Sequence, residues 1–188
     1  MKKNLLSIAS LGILGLLIVG CDTTLSYDEN NISLTPRAEA FYVDSPIEGV
    51  TAKCRSTVTT TNQEGAFTYE VGQGCSFWLG DILLREEGGV TQGEMVLEDN
   101  IEVAQFLQSL DNDNSVDNGI TITPQITTTL KENNISTVPQ TQEELLAVIT
   151  LLQEASIDFG GDIVSKEDAQ NHINQTKRAI NNPQYFKE

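Results

Sequence analysis

The sequence predicts an α+β fold, a small antiparallel β-sandwich-like module followed by a helical C-terminal part. Two observations predict it. Between residues 38 and 84, apolar and polar side chains alternate with period two, in short runs parted by turns rich in Gly, Pro and Asn. From about residue 94 the apolar spacing changes to three and four, and the runs open on Ser, Thr or Asn residues able to cap a helix. The division that follows is 1–20 for an apolar leader, 21–37 for a tether, 38–93 for the β module and 94–188 for the helical region.

The elements follow in order. Residues 22–37 are polar and rich in Asn, Asp, Ser and Thr, a coil with a root-mean-square reach of about 20–25 Å. Ala40-Phe41-Tyr42-Val43 is the first expected strand, closed by the turn residues Asp44-Ser45-Pro46 and Glu48-Gly49. Further strands suit 50–54, 56–61, 66–71, 75–79 and 82–84. Asn62-Gln63-Glu64-Gly65 makes a hairpin loop, because Gly tolerates the left-handed backbone that closes it. Phe67, Tyr69 and Val71 alternate with Ala66, Thr68 and Glu70, the pattern of a sheet buried on one face and wet on the other.

Helical signals take over after Asn100, an N-cap for a helix with a stripe of Ile101, Ala104, Leu107, Phe106 and Leu110. It stops in the polar run 111–119. Ile120-Thr121-Ile122-Thr123 is a short extended piece before Pro124, with a second short helix over 125–133. Thr141 and Glu144 form a capping box for a helix to about Ala155, with Leu145, Val148, Ile149 and Leu152 on its apolar side. Ser165 with Asp168 starts a last helix carrying Ala169, Ile173, Thr176 and Ile180, ended by Asn182-Pro183.

The leader carries the clearest signal. Lys2 and Lys3 precede an apolar run, Leu5 to Val19, that ends in Ile18-Val19-Gly20-Cys21. At about fifteen residues the run is shorter than the ~20 a membrane-crossing helix needs, and it has the shape of a cleavable secretory signal. With the Gly-Cys box it resembles the signal peptide of bacterial lipoproteins. That resemblance implies lipidation of Cys21, anchoring to a membrane of the bacterial cell envelope, and a mature chain starting there. Two acyl chains suffice for stable anchoring. Asp22 resembles the inner-membrane retention signal of enteric bacteria, whereas Thr23 is not one of its strongest companions. The choice between inner and outer membrane stays open.

The β segment carries a second resemblance. Pro46-Ile47-Glu48-Gly49-Val50, Thr59-Thr60-Thr61-Asn62 and Gly65-Ala66-Phe67-Thr68-Tyr69 are similar to modules of the carboxypeptidase-regulatory or Cna-B type, small Ig-like β-sandwiches of extracellular proteins. The resemblance covers about forty-five residues and implies a spacer or binding role.

With Cys21 given to lipid, Cys54 and Cys75 remain as a pair in an oxidising compartment. Strand parity places Cys54 on the face of Val50 and Ala52, and Cys75 on the face of Phe77 and Leu79, so both thiols point to one core and a disulfide is expected. Two thiols and a distant His172 make a poor metal site.

A net charge of −16 and a pI near 4.2 argue against nucleic acid, whose phosphates call for clustered Lys and Arg. They argue equally against a polybasic membrane contact. Asp111, Asp113, Ser115 and Asp117 put oxygen ligands at alternate positions of one loop, as calcium prefers. Val116 replaces the glycine and Ile122 the bidentate glutamate of an EF-hand, so the loop is not one; a solvated helix-terminating loop explains the same residues. His172 has no nucleophile beside it in sequence. Glu86-Glu87 and Glu143-Glu144 are carboxylate pairs of the type glycoside hydrolysis uses, without clustered aromatics to stack a sugar. No catalytic residue is therefore assigned and no cofactor is required beyond the calcium option. The expected function is a non-enzymatic binding or structural module, adhesin-like, with a protein or another envelope or extracellular macromolecule as partner. The alternative is an envelope hydrolase or inhibitor working through carboxylates.

Overall fold

The computed structural model describes residues 36–155 and 157–182; Cys21, the leader and the tether as far as residue 35 lie outside them. The fold is α+β. Its strands are β1 (Arg37–Val43), β2 (Ile47–Glu48), β3 (Thr51–Cys54), β4 (Thr57–Thr60), β5 (Ala66–Glu70), β6 (Cys75–Leu79), β7 (Ile82–Glu87), β8 (Met95–Leu97) and β9 (Ile120–Thr121). The helices are α1 (Ile101–Ser109), α2 (Pro124–Glu132), α3 (Gln142–Glu154) and α4 (Lys166–Asn181).

Two sheets face one another. One has the order β5-β1-β8 and the other β4-β3-β6-β7. Inward side chains from both meet in an aromatic centre, with Tyr42 of β1 stacked on Phe77 of β6 at 4.3 Å and Phe67 of β5 edge-on to Phe77 at 5.0 Å. Rings in offset or edge geometry add to what their buried area contributes. Cys54 and Cys75 pair across β3 and β6 as a disulfide, both buried, as strand parity predicts.

The pairing is not wholly antiparallel. β8 runs parallel to β1, and β9 runs parallel to β2. Both extra strands come from beyond residue 93, so the helical region completes the sheets it follows, and one core cluster spans residues 40–152. Gly49 makes the second pairing possible: at φ +92°, a Cβ there would sit 2.0 Å from the carbonyl oxygen of Ile122. Gly65 closes its hairpin at φ +73°, as expected for that loop.

Alternation in β5 holds only in part. Phe67 and Tyr69 are buried, but so are Ala66 and Glu70, while Val71 is half exposed past the strand end. Glu70 tolerates burial because Ser56 Oγ and Thr57 Oγ1 donate to its Oε1.

Three of the four helices start at the expected caps, Asn100, Thr141 and Ser165, while α2 is capped by Thr123 of the expected extended piece. Asn100 accepts from the amides of Glu102 and Val103, and the Thr141–Glu144 capping box closes both ways. Helix α1 departs from the expected single stripe. Val103 through Ser109 are all buried, including Gln105, Gln108 and Ser109. The helix lies between the sheets and the later chain, and its polar groups are matched there: Gln105 Nε2 donates to Val164 O at 2.8 Å, and Ser109 Oγ accepts from Val164 N at 3.0 Å. Helix α4 packs on α1 through Ala169, His172 and Ile173. Its second half, with Thr176 and Ile180, is only half buried because it runs past α1 and over the outer face of the β1 sheet. Among the described residues no helix is long and apolar enough to cross a membrane.

Candidate functional site

Alternation along β1 builds the site. Ala40 and Tyr42 face the sandwich centre and are fully buried, so Phe41 and Val43 face the other way. Register places Met95 of β8 beside Phe41. The second half of α4 then faces this surface with Thr176, Ala179 and Ile180, and a groove of about 630 Å³ runs between helix and sheet. Ser45 and Pro46 of the β1–β2 turn also line it, and its charged lining groups are Glu64, Asp117 and Arg178. A concave apolar surface of this size with a few polar groups suits a ligand or a peptide segment.

One polar contact at the groove carries the marks of chemistry. Ser45 Oγ lies 2.9 Å from Nε2 of His172, 127 residues away, and Ser45 sits at φ +81°. A serine in that backbone region is strained by roughly 1–3 kcal/mol and is held only by its surroundings. The same hydroxyl lies 2.7 Å from Val116 O. A hydroxyl has one proton. The proton goes either to Val116 O, with Nε2–H of His172 then donating to Ser45, or to Nε2 of the other His172 tautomer. The next residue is Pro46, which has no N–H to offer where serine hydrolases of the nucleophile-elbow type use one to hold an oxyanion. In either arrangement the pair is a clasp fastening α4 to the β1–β2 turn.

Behind the groove wall lies a buried acidic cluster. Asp44 is fully buried; Gln108 Nε2 donates to its Oδ2 at 2.6 Å, and Oδ1 has no partner among the described residues. Burial pushes its carboxyl up to about 7, against the opposing Gln108 bond and with help from nearby Glu98. Glu98 is also fully buried and raised, again by desolvation first. It accepts from Tyr42 Oη at 2.5 Å and from the amide of Asn100 at 2.9 Å, with Arg85 Nη1 3.7 Å away. Burial and Glu98 push the Tyr42 phenol well above its ordinary value. Both carboxylates are closed from solvent. Of the carboxylate pairs singled out in the sequence, Glu86 and Glu143 are exposed, and Glu144 serves the cap of α3.

No family model, curated protein or solved structure matches this chain. Its residues alone carry the reading.

The acidic loop is divided by the fold. Asp111 is buried and spends both oxygens on the loop itself, accepting from Ser115 N at 2.7 Å and Thr121 N at 2.9 Å. Asp113 accepts from Ser115 N and from Asn118 Nδ2. Asp117 turns toward the groove instead. Asp111, Asp113 and Ser115 are thus brought together and Asp117 is set apart; among the described residues no three His, Cys, Asp or Glu groups converge as a cation would need.

Sequence reasoning missed the Ser45–His172 clasp and the burial of Asp44 and Glu98. Ser45 reads as an ordinary turn residue in Asp44-Ser45-Pro46, and no local pattern ties it to a helix 127 residues on.

Proposed function

We propose that this protein is a lipid-anchored component of the bacterial cell envelope, tethered through Cys21, that binds a partner molecule without catalysing a reaction. The observation that carries the binding part is the groove between α4 and the β1 sheet, mostly apolar and fixed at one end by the Ser45–His172 contact. The lipoprotein-like leader supports the anchoring part. Burial of Asp44 and Glu98 favours binding over hydrolysis by carboxylates.

One set of bacterial samples tests both parts. Cells making the wild-type chain or Cys21→Ser are fed a labelled fatty acid, and their membranes are then treated with a fluorophosphonate probe for activated serines. The wild type should carry the fatty acid label and Cys21→Ser should not. Neither should react with the probe. Probe attachment at Ser45 that disappears in His172→Ala would replace the binding reading with a hydrolase.

A further inference from the structure

The cations of this acidic chain are unevenly employed. Arg85 is paired with Glu87, Glu98 and Asp99, Lys131 with Asp81, and Lys166 with Glu102, while Lys53 lies over the ring of Trp78. Lys177 and Arg178, at the end of α4, have no carboxylate partner among the described residues; neither do Arg37 and Arg55, but only the α4 pair is adjacent in sequence. Both line an open hollow of about 600 Å³ with Asn174, Asn181 and Asn182, and among the described residues no acid lines it. Arg178 lines the apolar groove as well, so the hollow and the groove meet at its side chain.

An apolar channel that opens onto a cationic, amide-rich hollow matches a molecule with a hydrocarbon tail and an anionic head. We propose that the groove and the end of α4 together bind a single-chain membrane lipid with an anionic head group. The tail lies along Phe41, Val43 and Met95 under Ala179 and Ile180, and the head rests on Lys177 and Arg178. Glu64 and Asp117 fix the direction, because their charges repel an anion from the remaining groove wall. Two cations at the C-terminal end of a helix also suit its dipole, but that explains neither the apolar channel beside them nor the lack of acids in the hollow. Protein segments of opposite chemistry, apolar with basic flanks, would be drawn to the Glu64 and Asp117 wall and away from Arg178.

This deepens the binding reading above and rests on it. The test uses residues 22–188, the mature chain without Cys21, secreted from an ordinary leader so that it carries no lipid of its own. Its affinity is measured for lysophosphatidylglycerol and lysophosphatidylcholine of equal chain length, below micelle formation, beside a basic amphipathic peptide. Wild type should bind the anionic lipid at least tenfold more tightly than the zwitterionic one and more tightly than the peptide. Lys177→Glu with Arg178→Glu should erase the preference between heads. Ala179→Trp, which fills the channel, should abolish binding, with Ile180→Asp as a second block and a thermal melt to show that each variant is folded. No binding of the anionic lipid, equal binding of both heads by wild type, tighter binding of the peptide, or unchanged binding by both folded channel variants would each overturn the proposal. Failure here leaves Ser45 unreactive to fluorophosphonate, whereas failure of the broader reading shows as a labelled Ser45.

Discussion

The centre of the sandwich and the joint where α1 meets the β1–β2 turn are equally buried, but different forces hold them. In the centre, Phe67, Phe77 and the Cys54–Cys75 bridge bring no group that titrates near neutrality. At the joint, Asp44, Glu98, Gln105, Gln108 and Ser109 occupy the interior, and contact depends on matching donors to acceptors. Apolar burial tolerates changes of pH; a buried carboxylate does not. The sandwich is therefore a constant frame, and the joint beside the groove is the part whose stability answers to solution conditions.

Acidity should separate the two regions most. Asp44 has a folded-state value of about 7 against an ordinary 3.8. Between these values the folded chain keeps a proton that the unfolded chain has released. The contribution is thus fully present below about pH 4 and is lost as pH rises through 7, by roughly 4 kcal/mol in all. Glu98, also raised, works in the same direction. Asp44→Asn should flatten the profile over this window and leave the variant more stable than wild type at neutral pH. Denaturant melts of both proteins from pH 4 to 8 check this, and parallel profiles would mean Asp44 is ionised in the fold.

The frame should fail differently. Replacing Cys54 and Cys75 by Ser should cost about 3 kcal/mol, the expected value for a loop of this length. The loss should be the same at pH 5 and pH 8, since both cysteines are buried and a disulfide does not titrate. A loss that varied with pH would join the two regions into one.

Tyr42 belongs to both, with its ring on Phe77 and its hydroxyl on Glu98. Tyr42→Phe keeps the stack and removes one donor from a buried carboxylate, which should destabilise by about 1–3 kcal/mol. Because the bond to Tyr42 holds the Glu98 value down, its loss should raise that value further and steepen the fall in stability with pH.

The same contrast decided what could be read from sequence. Strands and helix starts were legible because period-two alternation and capping residues are local; Cys54 and Cys75 could be paired from parity alone. The α+β class followed. The joint was not legible. Gln105, Gln108 and Ser109 look like the wet side of an amphipathic helix, and only the chain at Val164 and the turn at Asp44 turn that side inward. β8 and β9 are three and two residues long, too short for a periodic signal, and gain strand form from the neighbours they join. The groove was hidden for a related reason: Thr176 and Ile180 were expected on the apolar face of α4, but nothing in that stripe says the underlying surface ends halfway along.

The smallest effect concerns the clasp and isolates strain from bonding. Ser45→Ala removes both hydrogen bonds of the hydroxyl while keeping a side chain at φ +81°, so it should destabilise by about 1–2 kcal/mol. Ser45→Gly removes the same bonds but also the strain, since glycine enters that backbone region without a steric penalty. It should lie within roughly 0.5 kcal/mol of wild type, the gain from relieved strain offsetting the lost bonds. The gap between the two variants in chemical denaturation then measures the strain itself. If both fell equally, the turn would have relaxed in the alanine variant, and the clasp would be fastening α4 to a compliant loop instead of a fixed one. Loosening of α4 would show separately, as faster hydrogen exchange of amides in its second half, because His172 is the last of its fully seated side chains other than Ile173.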